Sequence, residues 1–358
     1  GAPAAAVRVP VEDTYQLPEP WVVSSAPAEE LWRQYGVNVL PARGRSMVRE
    51  VAPQPATAFR PFGPEDEQRL LDMRGQSVPA ERNPGVRFVP NFLDEGEEAA
   101  LAAEVRGLIS RYGSVMAGST SYAPAEPAGP GSAGGAPAQL VMTPDGRIVP
   151  DPKGTPGPMR RITGRTEDEA RQHPPPWGYG AEFRPEALPL HLSSVVERIR
   201  SLEGFPLGPL RDVTINSRTS SVCRLDPHID PLKDGANCFI LTLLSGAVLT
   251  FSPVAALRSE ADRATNPAAF GMRSFTDQDV DGILRRRSLV HFAGDARYRW
   301  AHAIRPGVAV ELSEQDGAET RTRACISDWW GTHANILPRK DERVSIIFAF
   351  ADPWRPAG

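Results

Sequence analysis

Cysteine is nearly absent from this chain: Cys223, Cys238 and Cys325 are the three it has, with no Cys-x-x-Cys pair among them. An odd, scattered set excludes a disulfide framework and a zinc knuckle, and it points to a reducing compartment. Long apolar runs are missing too. The longest, Cys238 to Phe251, is broken by Ser245-Gly246 and falls short of the roughly 20 residues a spanning helix needs, so no membrane role is expected. Neither sign of charge dominates: 40 Lys and Arg stand against 44 Asp and Glu, a net of −4, which excludes a global attraction to nucleic acid. A local basic face around Arg285, Arg286, Arg287, Arg297, Arg299 and Arg305 stays open, either simply solvated or touching phosphate. Histidine is scarce, six in 358 residues, so two that fall into one pattern carry weight.

What abounds is proline and glycine, 37 and 31, concentrated before residue 190, so the compact part is expected late in the chain. Residues 1–85 are rich in Pro, Ala and Arg and hold too little apolar surface to offset their ordering entropy. They read as an extended arm that a partner surface orders. The opening Gly1-Ala-Pro-Ala-Ala-Ala, without Met, is consistent with a removed targeting segment or an expression scar, and the N-terminal stretch has no apolar signal core.

Residues 86–358 read as one domain. Val86 to Leu93 predicts a strand leading into a turn, and Asp94 with Glu97 fits a capping box opening a helix whose apolar face is Leu101, Val105, Leu108 and Ile109. Residues 117–139 form a low-complexity insertion. A second helix is expected from Leu190 to Leu202. After Asp212 the pattern turns to short β-rich runs: Val213–Asn216, Cys238–Leu244, Ala247–Phe251, Ser288–Phe292, Ala301–Ile304 and Val344–Phe350. Ser245-Gly246 predicts a two-residue hairpin between the second and third. Many short strands bounded by Gly and Pro imply a sandwich or jelly roll with an internal mouth.

Between the first two of these runs one triplet carries chemistry. His228-Ile229-Asp230 places an imidazole and a carboxylate at i and i+2, on one face of an extended segment, and His302 can supply a third ligand from another strand. Two His and one carboxylate are the ligand set of a non-haem Fe(II) centre with open positions. The other histidines, His173, His191, His291 and His333, sit in settings that read as structural or exposed.

Taken jointly, Asp226-Pro-His-Ile-Asp230, the strands from Phe239 to Phe251, Ala296-Arg-Tyr-Arg-Trp-Ala-His-Ala-Ile304 and Arg343-Val-Ser-Ile-Ile-Phe348 resemble the core of AlkB-type 2-oxoglutarate/Fe(II) dioxygenases. The spelling looks most like the eukaryotic branch associated with protein-lysine and nucleic-acid demethylation. The likeness covers about residues 86–350, with Trp177-Gly-Tyr-Gly180 similar to the lid before the core. It implies an α+β, mainly β fold: a double-stranded β-helix, or jelly roll, with flanking helices and, here, the long arm. It also implies that His228, Asp230 and His302 are catalytic and hold Fe(II), and that Arg343, with Asn216 and Ser345, binds 2-oxoglutarate. A guanidinium suits the distal carboxylate because it offers a bidentate fork, the other reading of Arg343 being a surface ion pair with Asp341 or Glu342. Two positions depart from the family pattern: Arg218 stands where a cosubstrate-touching tyrosine is usual, and Ala349 where many members carry a second arginine. Residues 305–342 form an insertion with basic and aromatic content that suits RNA or protein contact.

Two functions fit. One is an oxygenase that demethylates or hydroxylates a protein or RNA. The other is a dioxygenase-fold structural component of a large ribonucleoprotein such as a mitochondrial ribosome, with little or no turnover, which the arm and the altered positions resemble. The expected compartment is the mitochondrial matrix, ahead of cytoplasm and nucleus. A cupin-like binding protein is the last alternative, and it would carry more histidines on one strand.

Overall fold

The computed structural model describes residues 70–72, 77–115, 159–165, 174–219, 225–257, 278–304 and 336–354 apart from 341, together with the backbone of several further strands. In chain order the described elements begin with β1 (Leu70–Asp72), β2 (Val86–Val89), helix α1 (Glu95–Tyr112), β3 (Met159–Ile162) and helix α2 (Leu190–Arg200). Eight strands come next: β4 (Leu210–Arg218), β5 (Leu225–His228), β6 (Asn237–Leu243), β7 (Ala247–Pro253), β8 (Val280–Leu284), β9 (Leu289–Phe292), β10 (Trp300–Ile304) and β11 (Arg343–Phe350).

Hydrogen bonding sorts them into two antiparallel sheets. One runs β2-β9-β6-β11-β4-β3 and ends on Ser114–Val115; the other runs β5-β10-β7-β8-β1. From β4 to β11 the chain alternates between the sheets, except that β7 and β8 are neighbours in the second. That winding is the double-stranded β-helix, a jelly roll, as expected.

The central strands are buried on both faces, which is why they read as continuous apolar runs rather than alternating ones. Phe239, Leu241, Leu243, Val344, Ile346 and Phe348 point toward the helices, where they pack with Leu101, Val105, Leu192 and Ile199. Their alternates Cys238, Ile240, Ile347 and Ala349 face the second sheet and its Leu249, Phe251 and Ile304. The gap between the sheets is where the candidate site lies.

The helices are fixed by side chains that sequence spacing only half reveals. Asp94 accepts from Glu97 N while Glu97 accepts from Asp94 N, the predicted capping box. Helix α2 follows Pro189, which offers no capping side chain; the carboxylate of Glu104 in α1 reaches across to accept from His191 N and Leu192 N, both at 3.0 Å.

The expected hairpin at Ser245-Gly246 does not exist. Strands β6 and β7 belong to different sheets, so these residues carry the chain across the gap, with Leu244 at φ 70 and its N–H donated to the buried carboxylate of Glu98 at 2.7 Å. A two-residue spacing fits either geometry, and pairing with β9 and β11 decided it.

Strand β1 pairs with β8 at the edge of the second sheet, inside the segment read as an arm. Further back, the backbone of Val7–Val11 pairs with Met47–Val51. Within the expected insertion 305–342, Val308–Asp316, Glu319–Trp329 and Ile336–Pro338 form a small antiparallel sheet. The insertion 117–139, His173 and His333 lie outside the described residues. Among those residues no helix is long and apolar enough to cross a membrane.

Candidate metal centre

His228 closes β5 and His302 lies in β10, and the two are register partners across the strand pair. Their rings are 4.2 Å apart between centroids. Asp230, two residues beyond His228, brings its carboxylate between them: Oδ2 is 3.7 Å from His302 Nε2, and Oδ1 is 3.8 Å from His228 Nε2. One ligand atom from each of the three lies within 4.8 Å of the others. Strand β5 is a sheet edge and slips register between Leu225 and His228, so it tolerates Pro227, whose missing N–H would break a central ladder.

The donor set fits a divalent cation. Asp230 Oδ2 is buried and accepts no hydrogen bond, an arrangement that is costly unless a cation satisfies it. Burial, reinforced by the neighbouring His228, holds the pKa of His302 down to about 3, leaving a neutral imidazole with a lone pair to give. Burial opposes ionisation of Asp230, yet His302, Arg165, His228 and Arg297 together hold its carboxyl well below the usual range. Two imidazoles and one carboxylate suit iron and leave coordination positions free.

Two arginines that sequence spacing did not single out for the site secure this arrangement. Arg297, buried in the single helical turn Asp295–Tyr298, donates to the carbonyls of Asp230, Pro231 and Gly235 at 2.9, 2.6 and 2.9 Å, and so fixes the loop after the ligand. It is not part of a surface patch. Arg165, just beyond β3, sits among Asp230, Asp212 and Asp234. Crowded by carboxylates in a buried site, Asp234 is pushed up to about 6, with burial the leading cause. A local signal existed only for Arg297, which lies in the His302 motif; Arg165 is joined to the site by tertiary contact alone.

A cavity of about 260 Å³ opens beside the triad, lined by His228, Asp230 and His302 and by all three residues expected to bind the cosubstrate, Arg343, Asn216 and Ser345. Ser345 and Asn216 are register partners on adjacent strands, and Arg161 on β3 continues the row. Alternation along β11 brings Arg343, Ser345 and Ile347 to the same face. Arg343 is buried, 4% exposed, and Glu342 pairs with Arg106 at 2.8 Å; Asp341 lies outside the described residues. Ile240, Leu249, Leu284 and Ile304 complete the wall with apolar surface.

Arg218, the departure at the tyrosine position, is buried opposite Arg343 and donates to Lys340 O at 2.9 Å. Ala349 lies across the strand pair from Asp212, and the guanidinium set against Asp212 is that of Arg165. Of the remaining basic run, Arg286 meets Glu98, Arg287 meets Glu95 and Arg299 meets Asp295. Arg305 is outside the described residues. His291 is buried in β9 with Nε2 3.0 Å from Asn237 Oδ1, and His191 lies in the first turn of α2, where its backbone N–H donates to Glu104.

No protein-family model matches the chain, and no curated protein sequence matches it. Similar solved structures include a prolyl hydroxylase from Trichoplax adhaerens in complex with a hypoxia inducible factor oxygen degradation domain peptide, at 14% identity over 75% of this chain and 84% of that one, with a TM-score of 0.35. OsALKBH1 is similar at 10% identity over 75% of this chain and 98% of that one, TM-score 0.35. The non-heme alpha ketoglutarate dependent epimerase SnoN from nogalamycin biosynthesis is similar at 14% identity over 76% and 84%, TM-score 0.32.

Proposed function

We propose that the chain is an Fe(II)- and 2-oxoglutarate-dependent oxygenase of AlkB-like type, which hydroxylates or oxidatively demethylates a protein or RNA. The observation that supports it is one cavity between the sheets of a jelly roll, holding a two-His, one-Asp cluster and a buried arginine together. His228, Asp230 and His302 would hold the iron, which with a 2-oxo acid supplies the oxidation of an otherwise inert C–H bond. The chain's own contribution is placement. Arg343 would offer its fork to the distal carboxylate and Asn216 and Ser345 would add polar contacts along the same face, beside an apolar wall that lowers the local polarity. Arg297 keeps the loop from Asp230 to Gly235 still.

The test is succinate formation by the full chain with Fe(II), 2-oxoglutarate, ascorbate and O2. Turnover that disappears in His302→Ala is expected. Arg343→Lys should keep the metal while weakening 2-oxoglutarate by about ten-fold, since a point charge replaces a bidentate fork. A wild-type protein that binds iron yet forms no succinate with any methylated protein or RNA offered would sink the enzymatic reading.

A further inference from the structure

We propose that Arg165 is a positioning residue that holds Asp230 as a one-oxygen metal ligand and so keeps a coordination position open for the cosubstrate, an inference that rests on the Fe(II)/2-oxoglutarate reading of the site. The two carboxylate oxygens of Asp230 have different surroundings. Each lies near one imidazole, Oδ1 3.8 Å from His228 Nε2 and Oδ2 3.7 Å from His302 Nε2, but Oδ1 also accepts from Arg165 Nη2 at 3.4 Å whereas Oδ2 accepts no hydrogen bond. One oxygen is thus engaged and the other is left to give. A carboxylate released from such a contact can rotate to offer both oxygens to a cation, taking two positions where one was needed.

The guanidinium is itself held. Its Nη2 lies 2.5 Å from Asp234 Oδ2 and 3.4 Å from Asp212 Oδ2, and its side chain is 12% exposed. Asp234 Oδ1 accepts from the Tyr179 hydroxyl at 2.6 Å, and Asp212 Oδ2 accepts from Thr214 Oγ1 at 2.8 Å. Carboxylates on β4 and on the loop after β5, each pinned by a hydroxyl, therefore hold one cation against the metal ligand. Buried charge is costly unless paired, and three acids around one guanidinium give it no better place to go. Tyr179 belongs to the Trp177–Gly180 segment, so the network also ties that segment to the metal ligand.

The test uses the full chain loaded with Co(II), whose visible absorption reports coordination, in wild type, Arg165→Met and Tyr179→Phe. In Arg165→Met we expect Co(II) still to bind at one per chain. Its absorption before any cosubstrate is added should change, and 2-oxoglutarate affinity should fall by about ten-fold or more. Tyr179→Phe leaves every charge in place and removes one orienting hydrogen bond, so it should shift the spectrum in the same direction by less. An unaltered cosubstrate-free spectrum in Arg165→Met overturns the proposal even if 2-oxoglutarate binds more weakly, because plain charge attraction then accounts for the loss. If that variant does not fold, the same reading of Tyr179→Phe decides. Wild-type protein that takes up no Co(II) at the triad would instead remove the site reading underneath, an outcome distinct from failure of the Arg165 role alone.

Discussion

His291 shows how a single buried side chain makes the fold pH-dependent away from the metal site. It is 5% exposed, with Nε2 3.0 Å from Asn237 Oδ1, and burial together with the Arg87 charge holds its pKa down to about 4. In the unfolded chain an imidazole titrates near 6.5. Between those values the unfolded state binds the proton that the folded state refuses, so the contribution is fully present above pH 6.5 and is lost as pH falls toward 4. The loss should amount to about 2–3 kcal/mol. His291→Gln keeps a hydrogen-bonding group near Asn237 and cannot titrate. In metal-free protein the denaturant midpoint of wild type should therefore drop more steeply than that of the variant from pH 7 to 4.5. Parallel slopes would show that the imidazole charges as easily folded as unfolded.

Helix α2 depends on its neighbour for a cap, and that makes Glu104 an element-scale residue. Glu104→Ala leaves the N–H groups of His191 and Leu192 without their acceptor and, with Pro189 unable to substitute, should cost about 1–2 kcal/mol in chemical denaturation. A loss no larger than that of an exposed control such as Glu186→Ala would show that water caps the helix as well. Glu104 also marks where sequence reading stops. The capping box and apolar faces of the helices were legible because they are contacts within a few residues. Strands β6, β9 and β11 were legible because their branched apolar runs are buried on both faces. Strand β8 was not, since Asp and Gly are residue types that favour turns over strands; in the fold Asp281 accepts from Thr250 Oγ1 at 2.6 Å, and Gly282 leaves room for the ring of Phe88. Strand β5 was legible only as the extended segment at His228; its Pro227 is tolerated because the strand lies at a sheet edge. The same division holds at the site. His228 and Asp230 share a local spacing, and His302 and Arg343 each sit in a recognisable run, whereas Arg165 meets Asp230 through tertiary contact that no local pattern announces.

At the scale of the molecule, the second sheet has the candidate metal ligand at one edge and β1 at the other: β5 carries His228, and Leu70–Asp72 pairs with Val280–Gly282. Among the described residues, the buried core begins at Leu70, 5% exposed, with Asp72 at 7%. The second sheet therefore includes residues ahead of position 85, and two truncations separate the possibilities. Removing residues 1–69 keeps β1 and should leave the thermal midpoint and Co(II) binding of the domain as they are. Removing residues 1–76 strips the edge. It exposes β8, with Val280 fully buried and Ile283 at 6%, and deletes the side chain of Leu70 from the core between the sheets. Burial of one leucine and a short ladder is worth about 2–4 kcal/mol, which for a domain of this size lowers the midpoint by roughly 4–16 °C. The bared strand should also promote association, since an unpaired edge is a template for another chain. Because β8, β7 and β10 stand between that edge and His228, the metal stoichiometry should survive in the protein that remains folded. A 1–69 truncation as unstable as the 1–76 truncation would place part of the domain's support in the arm itself.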